Sequence, residues 1–413
     1  MNRSFYALVV SQTATNLAFA LYTMTVVMYL YNETGSTALS AAVTLTSVTT
    51  HMFSSIYLPA ISDKYKSTTI LKVSQITQIF ILVGLYSLFS QKLSISIYFL
   101  FFVLLACMSF LNGFFSPLKS SIVRSIVQES ARVKANSFIA TIDQTFLFAG
   151  WTLGGLMLSL LGKESTLLFT FFLTSLSMIS LFMVKEREHV TVVQVQETLF
   201  KRLSSGWKYL FKHKGTRVLI LMDIMESWVG SIWIGAVTLT YVQEALGKGE
   251  TWWGYINGGY YFGTLIGGIL VYRLSSVMKG RLSMFMLSGS FIFGILTLIY
   301  GLTTNAYLAL TLVVFMGPSF QVRDLAQVTM YQNSADEKTL IKILAAKSSL
   351  VQFIFIFSIM GIGILTDLIG VKLVYILSGI LLTSSAVFGF VHLVLRKKGV
   401  TLEKEQIQNS LNA

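Results

Sequence analysis

The sequence predicts an all-α membrane protein of twelve transmembrane helices, arranged as two six-helix bundles in parallel repeat. Hydrophobic residues make up 54% of the 413 positions and charged residues only 12%, with a mean hydropathy of +0.70. A soluble domain carries about 25% charged residues. The apolar runs reach the ~20 residues that a helix needs to cross hydrocarbon, and the ~10-residue alternating segments of an outer-membrane barrel are missing. Landmarks also recur at a near-constant separation along the two halves.

Breaks at charged, Gly and Asn clusters place spans near 5–31, 37–61, 69–89, 94–118, 135–161 and 165–184, then 217–243, 251–273, 282–302, 305–330, 341–366 and 371–395. The first span is too long for a signal-peptide core and lacks a small-residue cleavage site, so it is expected to be retained. Residues 1–184 form the expected N-terminal bundle, 185–216 a cytoplasmic linker, 217–396 the C-terminal bundle and 397–413 a polar tail. In the linker, Leu199, Leu203, Trp207 and Leu210 recur at helical spacing among Lys201, Arg202, Lys208 and Lys212. That pattern suits an amphipathic helix on the inner leaflet.

Basic loops stay cytoplasmic. With both termini inside, outer loops hold only Lys92, Lys163, Lys248 and Lys372, leaving 31 − 4 = 27 basic residues at or near the cytoplasmic side of the cell membrane. The net charge of +13 is thus a topology signal with attraction to anionic lipid, and no aromatic-basic surface suggests nucleic acid. The single cysteine, Cys107, excludes a disulfide framework and a cysteine metal site; no metal or cofactor is expected, and a monomer is.

"GWTLGGLMLSLLG" in the fifth span parallels "IMGIGILTDLIG" in the eleventh: Gly155 and Gly363 differ by 363 − 155 = 208, and Gly162 and Gly370 by 370 − 162 = 208. Asp63 and Arg273 differ by 273 − 63 = 210, and Lys185 and Arg396 by 396 − 185 = 211. Such a parallel repeat puts the site of a secondary transporter at the interface of the halves.

At these residues the chain resembles the major facilitator superfamily over essentially its whole length. "PAISDKYKSTTILK" after span two is similar to that family's Gly-x-x-x-Asp-Arg loop, matching at Asp63 and Lys64, with Pro59 in place of glycine. "AGWTLGG" resembles the antiporter motif Gly-Pro-x-x-Gly-Gly at Gly150, Gly154 and Gly155, with Trp151 where proline is usual. The resemblance implies gating roles for these five residues. "QVTMYQ" and "ETGS" look like the branch that includes macrolide efflux proteins and the enterobactin exporter. Met108 stands where drug-proton antiporters usually carry an arginine in span four.

Asp223 and Glu226 interrupt the apolar run "TRVLILMDIMESWVGSIW". An ionised, unpaired carboxylate in hydrocarbon costs several kcal/mol, so such groups face water or a counter-charge, or hold a proton. Burial favours the neutral form, which suits a proton carrier. Their i, i+3 spacing places both on one face of a span that lines the cavity in the resembled fold. Counted from Arg217, Asp223 lies 6 residues in and Glu226 lies 9, about 9 and 14 Å. Asp143 in span five sits at similar depth in the other half. It is either a proton-linked partner of the opposite half or a static bond to a neighbouring helix.

Arg323, Asp324 and Lys347 add charge to spans ten and eleven, where Pro318 is expected to bend the helix. The basic groups are read as partners of Asp223, as ligands for an anionic substrate, or as side chains reaching the headgroups. His51 in span two is read mainly as packed against Thr and Ser. Gln12, Asn16, Gln144, Trp228, Trp233, Asn257, Tyr260, Tyr261 and Gln352 are the candidate cavity-lining residues, a mixture that suits a bulky amphiphile. Trp252 and Trp253 look interfacial.

No phosphate loop, His-Glu-x-x-His or Gly-x-Ser-x-Gly is present, so an ion gradient and not an enzymatic reaction is the expected energy source. The sequence therefore points to a transporter exchanging protons for a small organic molecule, either a hydrophobic drug such as a macrolide or a siderophore-type chelator. An importer of a metabolite or lipid, and a non-transporting receptor, are the competing readings.

Overall fold

The computed structural model describes residues 3–34, 37–89, 95–185, 199–233 and 235–395. The apolar runs form helices α1 (Arg3–Thr34), α2 (Thr37–Ser62), α3 (Ser67–Leu88), α4 (Ile95–Gly113), α5 (Phe115–Ile126) and α6 (Arg132–Phe182). The short helices α7 (Leu199–Lys212), α8 (Lys214–Ser227) and α9 (Gly235–Thr240) follow. The last five are α10 (Glu250–Met278), α11 (Leu282–Leu302), α12 (Ala306–Ser334), α13 (Glu337–Ile369) and α14 (Val371–Phe390).

Among the described residues, eight segments are long and apolar enough to cross a membrane: α3, α4 with α5, the second part of α6, α10, α11, α12, α13, and α14 with the turn after it. The remaining expected spans correspond to α1, α2, the first part of α6, and α8 with α9. Among the described residues the architecture is multi-pass and helical, and these helices together fit the twelve expected spans. α12 runs as one helix through Pro318. The seventh span, expected to be continuous, is broken after Ser227 and resumes as a 3₁₀ turn, Gly230–Trp233.

The repeat is visible in the backbone. α6 is interrupted at Gly162 (φ 78°, ψ 173°), and the junction between α13 and α14 falls at Gly370 (φ 83°, ψ 148°). Both occupy conformations closed to most L-residues, at the two places the sequence pairs at a spacing of 208. Equivalent helix breaks need equivalent glycines.

The chain forms two compact units. The first comprises Met1–Ala135, Ile139–Lys208 and Ala335–Phe353; the second comprises Asn136–Phe138, Tyr209–Ser334 and Ile354–Ala413. In the first unit, Tyr22, Leu30, Leu85, Phe101 and Leu105 bury a core between α1, α3 and α4. In the second, the most extensive packing joins α11 to α14 and α12 to both α10 and α11.

Lipid supplies no hydrophobic drive between helices, so close backbone approach through small residues takes its place. A Cβ on Gly263 of α10 would lie 2.2 Å from the Val314 carbonyl oxygen, and one on Gly317 of α12 would lie 2.2 Å from the Gly263 carbonyl carbon. The two backbones touch there.

The linker helix is present as α7. Leu210 is fully buried, the Tyr209 hydroxyl donates to the Ser334 carbonyl at 2.8 Å, and a Cβ on Gly206 would meet the Lys342 carbonyl oxygen of α13 at 2.2 Å. This helix is anchored on protein. The side chains of Leu199, Lys201, Arg202 and Leu203, and the tail 397–413, lie outside the described residues.

Candidate functional site

α8 starts where Thr216 donates from Oγ1 to the carbonyls of Leu210 and His213, at 3.1 and 3.2 Å, which fixes the α7–α8 corner. Two turns later its face presents Asp223 and Glu226. The helix then stops: the Val229 N–H turns back to the Glu226 carbonyl at 3.2 Å. A broken span leaves carbonyls that hydrocarbon cannot satisfy. Here Ser358 of α13 donates to the Trp228 carbonyl at 2.8 Å, and the Tyr375 hydroxyl of α14 donates to that of Ile232 at 2.7 Å. Ser231 and Ser358 also hydrogen-bond at 2.6 Å. The break is thus built into the bundle.

The carboxylates converge on one guanidinium. Arg323 of α12 reaches Asp223 Oδ1 at 2.9 Å and Glu226 Oε2 at 2.5 Å, both through Nη2. Tyr331 donates to Asp223 Oδ2 at 3.2 Å, while Ser290 of α11 and Ser385 of α14 donate to Glu226 Oε1 at 2.9 and 3.1 Å. Asp324 Oδ1 lies 3.8 Å from Arg323 Nη1, and the Arg323 Nε–H is buried without an acceptor. Charge-assisted bonds of this kind are the strong ones, yet one positive charge serves two acids. Glu226 also lies in the last turn of α8, where the helix dipole adds to the cost of a negative charge.

Glu226, Ser290 and Arg323 open onto a cavity of about 260 Å³ walled by Val229, Trp233, Tyr260, Phe293, Phe320 and Leu382. Four rings form a circuit: Trp233–Tyr260 at 6.0 Å, Tyr260–Phe320 at 6.4 Å, Phe320–Phe293 at 5.9 Å and Phe293–Trp233 at 6.1 Å between centroids. Behind Trp233, Tyr241, Tyr300 and Tyr375 pack together with centroids 4.3 to 5.1 Å apart. A Cβ on Gly289 would lie 2.8 Å from the Arg323 backbone nitrogen, so this glycine lets α11 bring Ser290 up to Glu226.

Of the residues expected from sequence, the second unit brings Asp223, Glu226, Arg323, Trp233 and Tyr260 together. Trp228 is 49% exposed, and Asn257 donates to the Trp253 carbonyl of its own helix at 2.8 Å. Tyr261 packs edge-on against Tyr260 at 6.1 Å.

In the first unit, Asp143 is buried beside Lys119 Nζ at 3.9 Å and accepts from Thr13 at 3.3 Å, with Asn16 as a further hydrogen-bond partner. Both measured partners come from nearby helices, α5 and α1. Gln12 is buried with its Oε1 unbonded, Gln144 and Lys347 are half-buried, and Gln352 donates to Ser348 at 3.0 Å. His51 stacks on Phe19, with ring centroids 5.9 Å apart. Asp63 pairs with Lys342 of α13 at 2.9 Å, whereas Lys64 is exposed. Gly150, Gly154 and Gly155 lie within α6, in a stretch whose surroundings are outside the described residues.

Sequence reasoning missed Tyr331, Ser290, Ser385, Phe293, Phe320 and Lys342. Tyr331 falls within "QVTMYQ", a stretch that stands out without disclosing a partner.

The Major Facilitator Superfamily model matches residues 8–337. An uncharacterised MFS-type transporter of Bacillus subtilis strain 168, YfmI, is 46% identical over 399 residues, covering 96% of this chain and 98% of that one. A second, YjbB of the same strain, is 29% identical over 380 residues, with 91% and 92% covered. Among solved structures, a bacterial homologue of the iron transporter ferroportin in its outward-facing state superimposes with a TM-score of 0.79 at 15% identity, covering 94% of this chain and 99% of that one. The proton:xylose symporter XylE gives 0.69 at 12% identity, with 94% and 95% covered. At such identities these two likenesses speak for the fold alone, which agrees with the helix order and the repeat. The chain is a transporter of the Major Facilitator Superfamily.

Proposed function

We propose that this chain is a proton-coupled antiporter of the cell membrane, with both termini cytoplasmic and acting as a monomer, that exports a small organic molecule by alternating access. The cargo is read as a hydrophobic drug such as a macrolide or as a siderophore-type chelator, in keeping with the branch that "QVTMYQ" resembles. One observation carries the reading: two buried carboxylates share a single guanidinium nitrogen at the wall of an aromatic cavity. With both acids ionised the cluster holds an excess negative charge; one proton removes it.

The cycle follows from that balance. A proton entering from outside neutralises Glu226, loosens its hold on Arg323 and changes what the cavity can bind. Discharge to the inside restores the pair. Asp223, fixed by Arg323 and Tyr331, keeps the guanidinium in place meanwhile. Asp143, buried in the first unit, is a second candidate proton site, and Gln12, Asn16, Gln144, Lys347 and Gln352 are the candidate cargo contacts there. Asp63 with Lys342, and the glycines of "AGWTLGG", are the proposed gating elements.

The test is transport in proteoliposomes under an imposed pH gradient, with a macrolide, a catechol chelator and an amine dye as cargoes. Glu226→Gln is expected to abolish gradient-driven movement and Asp223→Asn to reduce it strongly. If both variants carry cargo at the wild-type rate, the proton-carrier assignment is wrong.

A further inference from the structure

An exposed face of the second unit matches both the tail and the head of a membrane lipid. We propose that the trough between α11 and α14, with the basic corner at Lys279 and Arg281, binds one anionic glycerophospholipid, its acyl chain in the trough and its phosphate at the corner.

The trough follows from how the two helices pack. They meet through small residues: a Cβ on Gly379 would lie 2.6 Å from the Leu298 nitrogen, and one on Gly389 would lie 2.6 Å from Leu287 Cδ2. Such close approach leaves no room for large side chains along the seam, so these stand beside it as walls. Met284 and Phe291 of α11 form one wall and Val387 and Phe390 of α14 the other, all four exposed. Between them the floor is low, made by buried Leu287 and Ala386. Ser288 lies there too, and its hydroxyl donates to the Phe285 carbonyl of its own helix at 3.1 Å. The space enclosed is about 330 Å³.

Lipid tails are as apolar as leucine, so the trough alone selects nothing. Selection comes from its end. α10 finishes at Met278, Gly280 (φ 76°) turns the chain, and α11 starts at Leu282. Lys279 and Arg281 flank that turn, both exposed and neither in an ion pair among the described residues. Arg281 precedes Met284, Ser288 and Phe291 by 3, 7 and 10 residues, the spacing of one helical face. Neither α11 nor α14 carries an acidic residue. A phosphodiester at the corner therefore meets two bases and no competing carboxylate on these helices.

The length also fits. From Arg281 to Phe291 is 291 − 281 = 10 residues, about 15 Å of helix. That is the hydrocarbon depth of one leaflet, half of the ~30 Å core. A lipid standing in its own leaflet can thus place its phosphate at Arg281 and run a chain along the trough to Phe291. In the proposed orientation that leaflet is the cytoplasmic one, whose anionic lipids attract basic groups at the surface. The same turns of α11 and α14 carry Ser290 and Ser385, which donate inward to Glu226. An occupied trough braces both helices at that level.

The experiment maps the site first and its charge second. The full-length protein in nanodiscs receives a trace of phosphatidylglycerol with a diazirine in one acyl chain, and labelled peptides are identified by mass spectrometry after irradiation. Labels are expected to concentrate on residues 284–291 and 386–390. Plain phosphatidylglycerol is expected to displace them at least about fivefold more effectively than phosphatidylcholine of the same chains, the factor that one basic residue supplies near a membrane surface. Glycerol 3-phosphate, which has the charge without the chain, is expected not to compete. Lys279→Gln combined with Arg281→Gln is expected to bring the two lipids within about twofold of each other. Ser288→Phe, at an exposed position inside the trough, is expected to remove the labels from these peptides.

Labels spread evenly over the exposed helix faces would overturn the proposal, leaving an ordinary lipid shell. Equal displacement by the two lipids, a preference that survives the double variant, or competition by glycerol 3-phosphate would overturn it too. The lipid comparison is made on the unaltered chain, so a folding defect in a variant does not blunt it. None of these readouts involves transport, so the lipid site and the antiport reading stand or fall separately.

Discussion

Replacing Arg323 by methionine keeps a shorter, unbranched apolar chain and removes the charge on which Asp223 and Glu226 converge. The side chains of Arg323, Asp223 and Glu226 are only 10%, 6% and 15% exposed, so solvent screens them little. At contact distances of 2.9 and 2.5 Å, each pair carries roughly 6 kcal/mol of gross attraction at an effective dielectric of ~20. Most of that is offset by desolvation, and breaking a buried pair by removing one partner costs about 3–5 kcal/mol net. Arg323→Met is expected to lose at least that much, a large part of the ~5–15 kcal/mol by which folded proteins are stable.

Asp223→Asn and Glu226→Gln added to Arg323→Met leave neutral amides that keep Tyr331, Ser290 and Ser385 as partners. This triple variant is expected to recover all but about 1–2 kcal/mol. Unfolding followed by scanning fluorimetry in detergent reads both. A single variant as stable as wild type, or a triple variant no better than the single, would refute the claim that the site is held by mutual charge compensation.

Three further outcomes follow from the packing. Gly263→Ala must move α10 from α12 by 3.4 − 2.2 = 1.2 Å to restore ordinary contact, costing about 1–3 kcal/mol, while Gly254→Ala on the same helix meets nothing within 4 Å and should be neutral or slightly stabilising; thermal unfolding distinguishes them. Exchanging the charges as Asp63→Lys with Lys342→Glu should restore proteoliposome transport lost in either single variant, because the 2.9 Å pair is fully reversed. Burial pushes the Asp336 carboxyl up, but its bond from the Thr339 hydroxyl and the N–H groups at the start of α13 outweigh this and hold it below the usual value. Its stabilisation is therefore complete above the unfolded value near ~3.9 and is lost as pH falls through the lower folded one; Asp336→Asn should flatten that acid limb of an unfolding-versus-pH curve.

The span count was legible because each apolar run has to satisfy its backbone inside one helix. The repeat was legible because two junctions need the same special φ, and only glycine supplies it cheaply at Gly162 and Gly370. Asp223, Glu226 and Arg323 stood out because a charge in a membrane span needs a reason. Their hydroxyl partners did not. Serine and threonine in these helices usually bond their own backbone one turn back, as Ser319 does to Phe315, Ser378 to Val374 and Thr383 to Gly379. Nothing in "LSGSF" or "TSSAVF" marks Ser290 and Ser385 as the ones that turn to Glu226 instead. The break after Ser227 was equally hidden, since the groups that accommodate it, Ser358 and Tyr375, lie 130 and 143 residues away from their carbonyl partners.

That break and the carboxylates act together. A continuous helix would have tied the carbonyls near Glu226 into its own ladder; here the chain tightens at Val229, and the Trp228 and Ile232 carbonyls are each held by a side-chain hydroxyl. A hydroxyl satisfies a carbonyl's hydrogen bonding but cancels little of the dipole that the end of α8 directs towards Glu226. Among the described residues, the cavity wall sets the Glu226 carboxylate, at a helix terminus, against the Arg323 guanidinium, which also holds Asp223. A proton on Glu226 shifts that balance, which is the step the proposed antiport requires. In the proposed exchange, coupling between ion and cargo needs only that each weakens the binding of the other, so that a proton on Glu226 and a cargo molecule in the cavity are not held together.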